Sequence, residues 1–360
     1  MKKIICIGKY NGIIGGIERY MQKSAEILRR NGFALHLLYT EEGGREKEAF
    51  AKSFDSTALF SSDDPLLEEG DLIIIHNIIP PALLKELPLE KTFFFAHDHN
   101  IYCRRHHYYT PVGRTNCRRS AHFLRCLLCS LGRNGAPPLE AYRKLPALVL
   151  SDFMGENLRK NGFEKVVKLP AFIRTEEEER SFMPEGVLRI LFLGQLIRGK
   201  GADLMLKVLS KLRIPFSCTI AGEGNDRPML EKLTLEYNLQ EKVRFTGFVS
   251  TPEKLWKDCD LFFFPIRWQE PFGLVGLEAM AHGVPVAAFD LGGVREYLNS
   301  ECGVLIPEKD IDAAAEMITR LYKTPDRLNQ MGLKGLETAK QKFSEENFVN
   351  KFKDLAEVLK

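Results

Sequence analysis

The segment RWQEPFGLVGLEAMAHGVPV, residues 267–286, carries two glutamates, Glu270 and Glu278, with seven residues between them. Pro271, Gly273, Gly276, Gly283 and Pro285 surround them. The stretch FGLVGLEAMAHG reads as a helix that starts near Gly273 and is capped by Gly283. Glu270 then lies just before the helix, and Glu278 about a turn and a half inside it. Taken as eight helical residues, the separation is roughly 12 Å. Carboxylate pairs that work together on a glycosidic bond face each other across about 5–9.5 Å. The two glutamates are therefore read as separate grips on a long ligand, against the plainer alternative of two solvated helix residues. Between them lies a helix N-terminus, whose amides and positive dipole end favour an anion. A ligand with hydroxyls at both ends and phosphate in the middle fits this order, as a nucleotide diphosphate sugar does.

Residues so placed need a frame, and the rest of the chain supplies one. The chain has 360 residues, 44% hydrophobic and 28% charged, a length that favours two domains. A formal net charge of +3 is too small by itself to argue for nucleic acid. The opening MKKIICIGKYNGIIGG is basic, then apolar, but Gly8, Lys9 and Asn11 break the run and no small-residue cleavage site follows. It reads as a first strand and a glycine loop. No run offers the 18 or so apolar residues of a membrane span. Eight cysteines in such a chain are expected to be thiols.

Apolar runs of strand length recur: FALHLLY, DLIIIHN, TFFFAHD and ALVLS, then LRILFLG, FSCTIAGEG, VRFTGF, CDLFFFP and GVPVAAFD. Amphipathic helical stretches separate them. Runs apolar on both faces are what a parallel sheet covered by helices requires. The rhythm breaks once, at RTEEEERSFMPEG after residue 173, and that stretch reads as the linker. The expected class is α/β, with two doubly wound Rossmann-like domains facing across a cleft. The N-terminal domain is placed at 1–172, the C-terminal, nucleotide-sugar-binding domain at 173–343, and a last helix at 344–360 crosses back to the first domain. Ligands of such sheets bind outside the carboxyl ends of the strands.

These motifs, in this order, resemble the retaining glycosyltransferases of family 4, which have the GT-B fold. Glu270 to Glu278 match that family's E-x7-E segment. GGIERY at 15–20 resembles its first glycine loop, and FLGQLIRGKG at 192–201 its GRLxxxKG element. AGEG at 221–224, VRFTGFV at 243–249 and DLGGVREYL at 290–298 resemble its remaining loops. The resemblance covers nearly the whole chain and implies roles. Glu278 holds the ribose, and Glu270 the hydroxyls of the transferred sugar. The amides of Phe272, Gly273, Leu274 and Val275 face the sugar and distal phosphate. Lys200 neutralises the diphosphate, and Arg244 to Phe248, with Phe245, flank the base. Gly15 and Gly16 let the first loop approach the donor phosphates. His97, at the end of TFFFAHD, touches the transferred sugar. Gln195 departs from the pattern, because the family usually has arginine there and a neutral amide cannot replace a guanidinium. Arg198, three residues on, is the candidate to supply the charge.

By the same resemblance the chain is a hexosyltransferase-type enzyme moving sugar from a nucleotide diphosphate sugar to a hydroxyl acceptor. It needs no cofactor and no catalytic metal, and HDH at 97–99 is not read as a metal site, because successive strand residues point to opposite faces and the three side chains do not converge. A GT-B epimerase or hydrolase, or a nucleotide-sugar-binding protein without transfer, is the alternative.

Residues 101–135 form a separate feature, an insertion with seven arginines and no carboxylate. Cys103, Cys117, Cys126 and Cys129 lie in it. Cys126 and Cys129 make half of a zinc pattern, so structural zinc stands beside burial as the reading for these thiols. Arginines, tyrosines and FLRCLLC suit an anionic lipid headgroup surface. The expected partners are a lipid-linked acceptor and an anionic membrane, with no nucleic acid. The expected setting is lipopolysaccharide, capsule or other polysaccharide assembly, in the cytoplasm on the inner face of the plasma membrane.

Overall fold

The computed structural model describes residues 2–103, 105, 109, 116–117, 126, 129, 139–175, 182 and 186–357. Most of the arginine-rich insertion and most of RTEEEERSFMPEG lie outside the described residues. The chain divides into two compact units, one of residues 1–170 with 345–360 and one of residues 171–344.

The first unit holds β1 (Lys3–Tyr10), β2 (Ala34–Glu41), β3 (Ser56–Leu59), β4 (Leu72–Ile75), β5 (Thr92–Phe95), β6 (Ala147–Val149) and β7 (Val166–Lys168). They form a sheet in the order β3-β2-β1-β4-β5-β6-β7, with every pairing parallel. The second unit holds β8 (Leu188–Leu193), β9 (Phe216–Ala221), β10 (Val243–Gly247), β11 (Leu261–Phe264), β12 (Val286–Phe289) and β13 (Gly303–Ile306). Its order is β10-β9-β8-β11-β12-β13, again all parallel. Both sheets are doubly wound, as the alternating rhythm required.

The central strands carry the longest apolar runs because helices cover both their faces. Every residue of β4, β5, β11 and β12 is buried. Phe262 and Phe263 are fully enclosed, and truncating either to alanine is expected to cost about 3–5 kcal/mol. At the amino ends of β8 and β11, Arg189 donates to both oxygens of the buried Asp260 carboxylate, which also accepts from the Arg189 amide. The edge strand β3 is mostly exposed and has no apolar run to betray it, which is why it is not legible as a strand.

The last helix, Glu345–Glu357, belongs to the first unit, where Phe352 meets Phe33 edge-on at 5.6 Å between ring centres. All eight cysteines are thiols. Among the described residues no group of three or more His, Cys, Asp or Glu is placed to hold a metal, and this includes Cys103, Cys117, Cys126 and Cys129. Also among the described residues, no helix is long and apolar enough to cross a membrane.

Candidate functional site

In the second sheet the connections change direction between β8 and β11. The loops leaving their carboxyl ends diverge from neighbouring strands, which is where doubly wound sheets receive ligands. Lys200 comes from the loop after β8 and Glu270 from the loop after β11. The Lys200 ammonium lies 2.7 Å from a Glu270 carboxylate oxygen, with 26% and 22% of the two side chains exposed.

The two loops are locked by backbone. Gly199 packs under the Trp268 ring, so closely that a Cβ would fall 1.8 Å from it. Gly201 has φ of +77° and turns beneath the Pro265 carbonyl, 1.8 Å from where a Cβ would sit. The Arg267 amide donates to the Gly199 carbonyl at 2.8 Å. The Arg267 guanidinium, 5% exposed, donates to the Arg198 carbonyl at 2.6 Å and to both oxygens of Asp203 at 3.0 and 2.6 Å. Arg198 and Gln195 are themselves exposed, and Arg198 begins the 3-10 turn that ends on Lys200.

The helix after Glu270 is Leu274–Ala281, with Gly273 at its N-cap in the left-handed region and Gly283 past its end at φ +67°. Only the second half of the Glu270–Glu278 interval is therefore helical, and the 12 Å helical rise does not describe it. Pro271 has no amide to give an earlier turn, and left-handed Gly273 stops the helix from extending back. The Gly276 amide is taken by the Gly273 carbonyl at 2.9 Å. Leu274 and Val275 belong to the first turn, whose amides have no intrahelical acceptor. Phe272 and Gly273 are buried, and Glu278 is half-buried on the same helix.

Tyr297 pins this corner. Its hydroxyl donates to the Gly273 carbonyl at 3.1 Å and fills the space where a Gly276 Cβ would stand. Burial holds its phenol well above the ordinary range, and the charge of Glu270 adds to that. The Gly293 amide donates to the Glu270 carbonyl at 2.7 Å, and Gly292 at φ +72° brings its own backbone against the same carbonyl. The residues expected near the base lie further out. Arg244 and half-buried Phe245 are on the edge strand β10, and Phe248, 48% exposed, follows it. Two strand spacings separate β10 from β8, roughly 10 Å.

In the first unit the direction changes at β1 and β4. Gly15 and Gly16 open the helix Gly16–Arg30, and the Gly15 amide is held by the Glu18 carboxylate at 2.9 Å. Among the described residues a Cβ at either glycine would meet no neighbouring atom within 4 Å, and Gly15 is extended, so their packing does not demand glycine there. His97 lies two residues past β5, hydrogen-bonded to His76 just past β4, with His76 Nδ1 and His97 Nε2 2.9 Å apart. Burial pushes His76 down to about 3 and His97 well below the usual imidazole range, with the neighbouring His76 adding to the effect on His97. His99 turns away, fully buried against Tyr102 and Phe153. Asp98 accepts from the Asn100 amide and side chain at 2.9 and 2.7 Å, and burial raises its carboxyl to about 6.

The structure thus brings Lys200 and Glu270 into contact and sets the helix N-terminus beside them. Sequence reasoning missed Arg267, Asp203, Tyr297 and His76. Two of these left a signal. Arg267 follows the apolar run LFFFPI, where a charge must find a partner. His76 ends DLIIIHN much as His97 ends TFFFAHD.

Known proteins share this architecture. The Anabaena protein HepE, solved in complex with UDP and glucose, superposes with a TM-score of 0.75 over 99% of this chain and 100% of its own, at 16% identity. The fold is therefore GT-B, two doubly wound Rossmann-like units. Residues 173–338 match the family model described as glycosyl transferases group 1. An uncharacterized glycosyltransferase of Methanocaldococcus jannaschii is 37% identical over 137 residues, 37% of this chain and 35% of its own length. The lipopolysaccharide core biosynthesis mannosyltransferase LpsB of Rhizobium meliloti is 27% identical over 186 residues, 49% of this chain and 53% of its own. The matches span about half or less of these relatives. The stretch 173–338 belongs to the glycosyl transferases group 1 family.

Proposed function

We propose that the chain is a retaining glycosyltransferase of the family 4 type, taking a hexose from a nucleotide diphosphate sugar to a hydroxyl acceptor. The observation that carries the reading is the Lys200–Glu270 contact at the β8/β11 switch point, beside the N-terminus of the helix Leu274–Ala281. That corner offers a cation and first-turn amides for a diphosphate, and a carboxylate for sugar hydroxyls. Glu278, further along the helix, grips the ribose, while Arg244, Phe245 and Phe248 lie a nucleotide's reach away for the base. Gly15 and Gly16, which the packing of the described residues does not require, support close approach of a ligand to the first loop. His97 is the contact of the first unit to the transferred sugar.

In the reaction the bond between the anomeric carbon and the diphosphate oxygen breaks. The acceptor oxygen bonds to that carbon on the same face, and its proton passes to the departing diphosphate. Lys200, Arg198 and the helix N-terminus stabilise the leaving charge. The arginines of 101–135 support a lipid-linked acceptor at an anionic membrane, on the cytoplasmic side, in surface-glycan assembly. The LpsB match favours the same setting. Gln195, neutral where the family usually has arginine, favours a second reading, a nucleotide-sugar-binding protein without transfer.

Native mass spectrometry of the protein with a panel of nucleotide sugars tests the donor site, and turnover with a lipid-linked acceptor separates the two readings. The expected result is selective retention of one nucleotide sugar, lost in Glu278→Ala. Retention of none, or equal retention by Glu278→Ala, refutes the donor-site assignment.

A further inference from the structure

We infer that His76 is the positioning residue of His97: it engages His97 Nε2, so that Nδ1 is the nitrogen His97 presents to a ligand. The geometry is specific. The His76 amide donates to the Ile7 carbonyl at 2.9 Å, which extends the β1/β4 ladder and fixes where this side chain leaves the sheet. Its ring is 5% exposed and lies nearly parallel to Phe95, at 15° and 5.5 Å between centres. The His97 ring stacks on Phe95 at 4.2 Å and 8°. The Tyr20 ring packs against both, 5.3 Å from His97 at 65° and 5.0 Å from Phe95 at 58°. Tyr20 belongs to the helix that begins at the glycine loop, so the imidazole pair and that loop share one wall. His97 is half-buried where His76 is buried, so His97 is the more accessible residue of the pair.

An imidazole bonded through Nε2 has one nitrogen left. In a neutral pair, a single proton lies between His76 Nδ1 and His97 Nε2. If His76 donates, His97 Nδ1 carries a proton and meets an acceptor. If His97 donates, Nδ1 meets a hydroxyl proton. Either way His76 sets the hydrogen-bonding character of the outward atom, the role that second groups behind ligating histidines commonly play. Burial supports the neutral pair, since both imidazoles are held below their ordinary range. The ligand class, the hydroxyls of a sugar, rests on the proposed function.

The test uses the full chain labelled with 15N-histidine, in long-range proton–nitrogen correlation spectra without ligand, His97 being assigned by its loss in His97→Gln. Wild type is expected to show His97 as one tautomer, with its two ring nitrogens well separated in shift. In His76→Phe those shifts should collapse toward their mean, and in His76→Gln, whose amide can still bond Nε2, they should stay apart. Averaged His97 nitrogens in wild type would overturn the inference even if His76→Phe does not fold, and so would unaltered shifts in a folded His76→Phe. UDP-glucose and GDP-mannose are then added to wild type. His97 signals that move with neither would overturn its role as a sugar contact, and that failure is distinct from loss of the fixed tautomer.

Discussion

Replacing Glu270 by glutamine should tighten the binding of free nucleoside diphosphate while it impairs sugar transfer. In the structure Glu270 holds the Lys200 ammonium at 2.7 Å, and each side chain is about a quarter exposed. At an effective dielectric of 20 the gross attraction of such charges about 4 Å apart is roughly 4 kcal/mol. Screening by water and the desolvation of both ions reduce the net value of a pair this exposed to about 1 kcal/mol. A diphosphate that recruits Lys200 must loosen this contact and come up against the carboxylate. Glu270→Gln keeps the size and the hydrogen-bonding oxygen but removes the charge, so about 1 kcal/mol is released, a roughly five-fold tighter Kd. Lys200→Met acts in the opposite sense. It deletes a hydrogen bond to a charged group, about 1.5–3 kcal/mol, or roughly 10- to 150-fold weaker binding. Calorimetric titration with UDP and with GDP reads both variants, at low and raised salt. If Glu270→Gln weakens the preferred nucleotide as much as Lys200→Met does, Glu270 is a direct grip on the diphosphate nucleotide and does not hold Lys200 in reserve. If neither change matters, the switch point of the second sheet is not the diphosphate site.

Arg267→Met strips Asp203 of its buried partner and should lower stability by about 3 kcal/mol. Asp203→Asn in the same chain should recover part of the loss, read by calorimetric unfolding, and loss of less than about 0.5 kcal/mol would show that the pair does not hold the 198–201 loop. For pH, the unfolded chain binds protons below 6.5 that buried His76 and His97 refuse, so stability falls as pH drops from 6.5 toward 3. Asp98 opposes this between 3.8 and about 6, where the folded state keeps the proton. His76→Phe should therefore flatten the stability profile between pH 4 and 6 by about 1.4 kcal/mol per pH unit, and an unchanged slope of urea midpoints would contradict a buried neutral His76. Changing Arg104, Arg105, Arg118 and Arg119 to Ser should abolish flotation with anionic liposomes at low salt, each arginine contributing about 1 kcal/mol. Wild type that does not float rules out the membrane role.

The alternating strands and helices were legible because central strands of a parallel sheet are apolar on both faces, and LIII, TFFF, LFFF and VAAF say so residue by residue. The glycines of the E-x7-E segment were legible for a local reason, since positive φ at Gly273 and the missing amide of Pro271 are properties of the residue itself, whereas Lys200 entered only through the family resemblance. The sequence did not reveal which distant groups those turns bring together. Lys200 and Glu270 are 70 positions apart and meet because β8 and β11 are neighbours, a pairing that no local spacing encodes. Asp203 with Arg267 is a product of the same adjacency, and Tyr297 with Gly273 of the pairing of β11 with β12. His76 and His97 each look like a lone histidine at a strand end, and they become a hydrogen-bonded pair because β4 and β5 run side by side in register. Composition and period fix which residues are buried and which turn, since those are decided by solvation and backbone sterics within a few residues. Partnership between charged and titratable groups is decided by sheet order, which exists only once the strands have assembled.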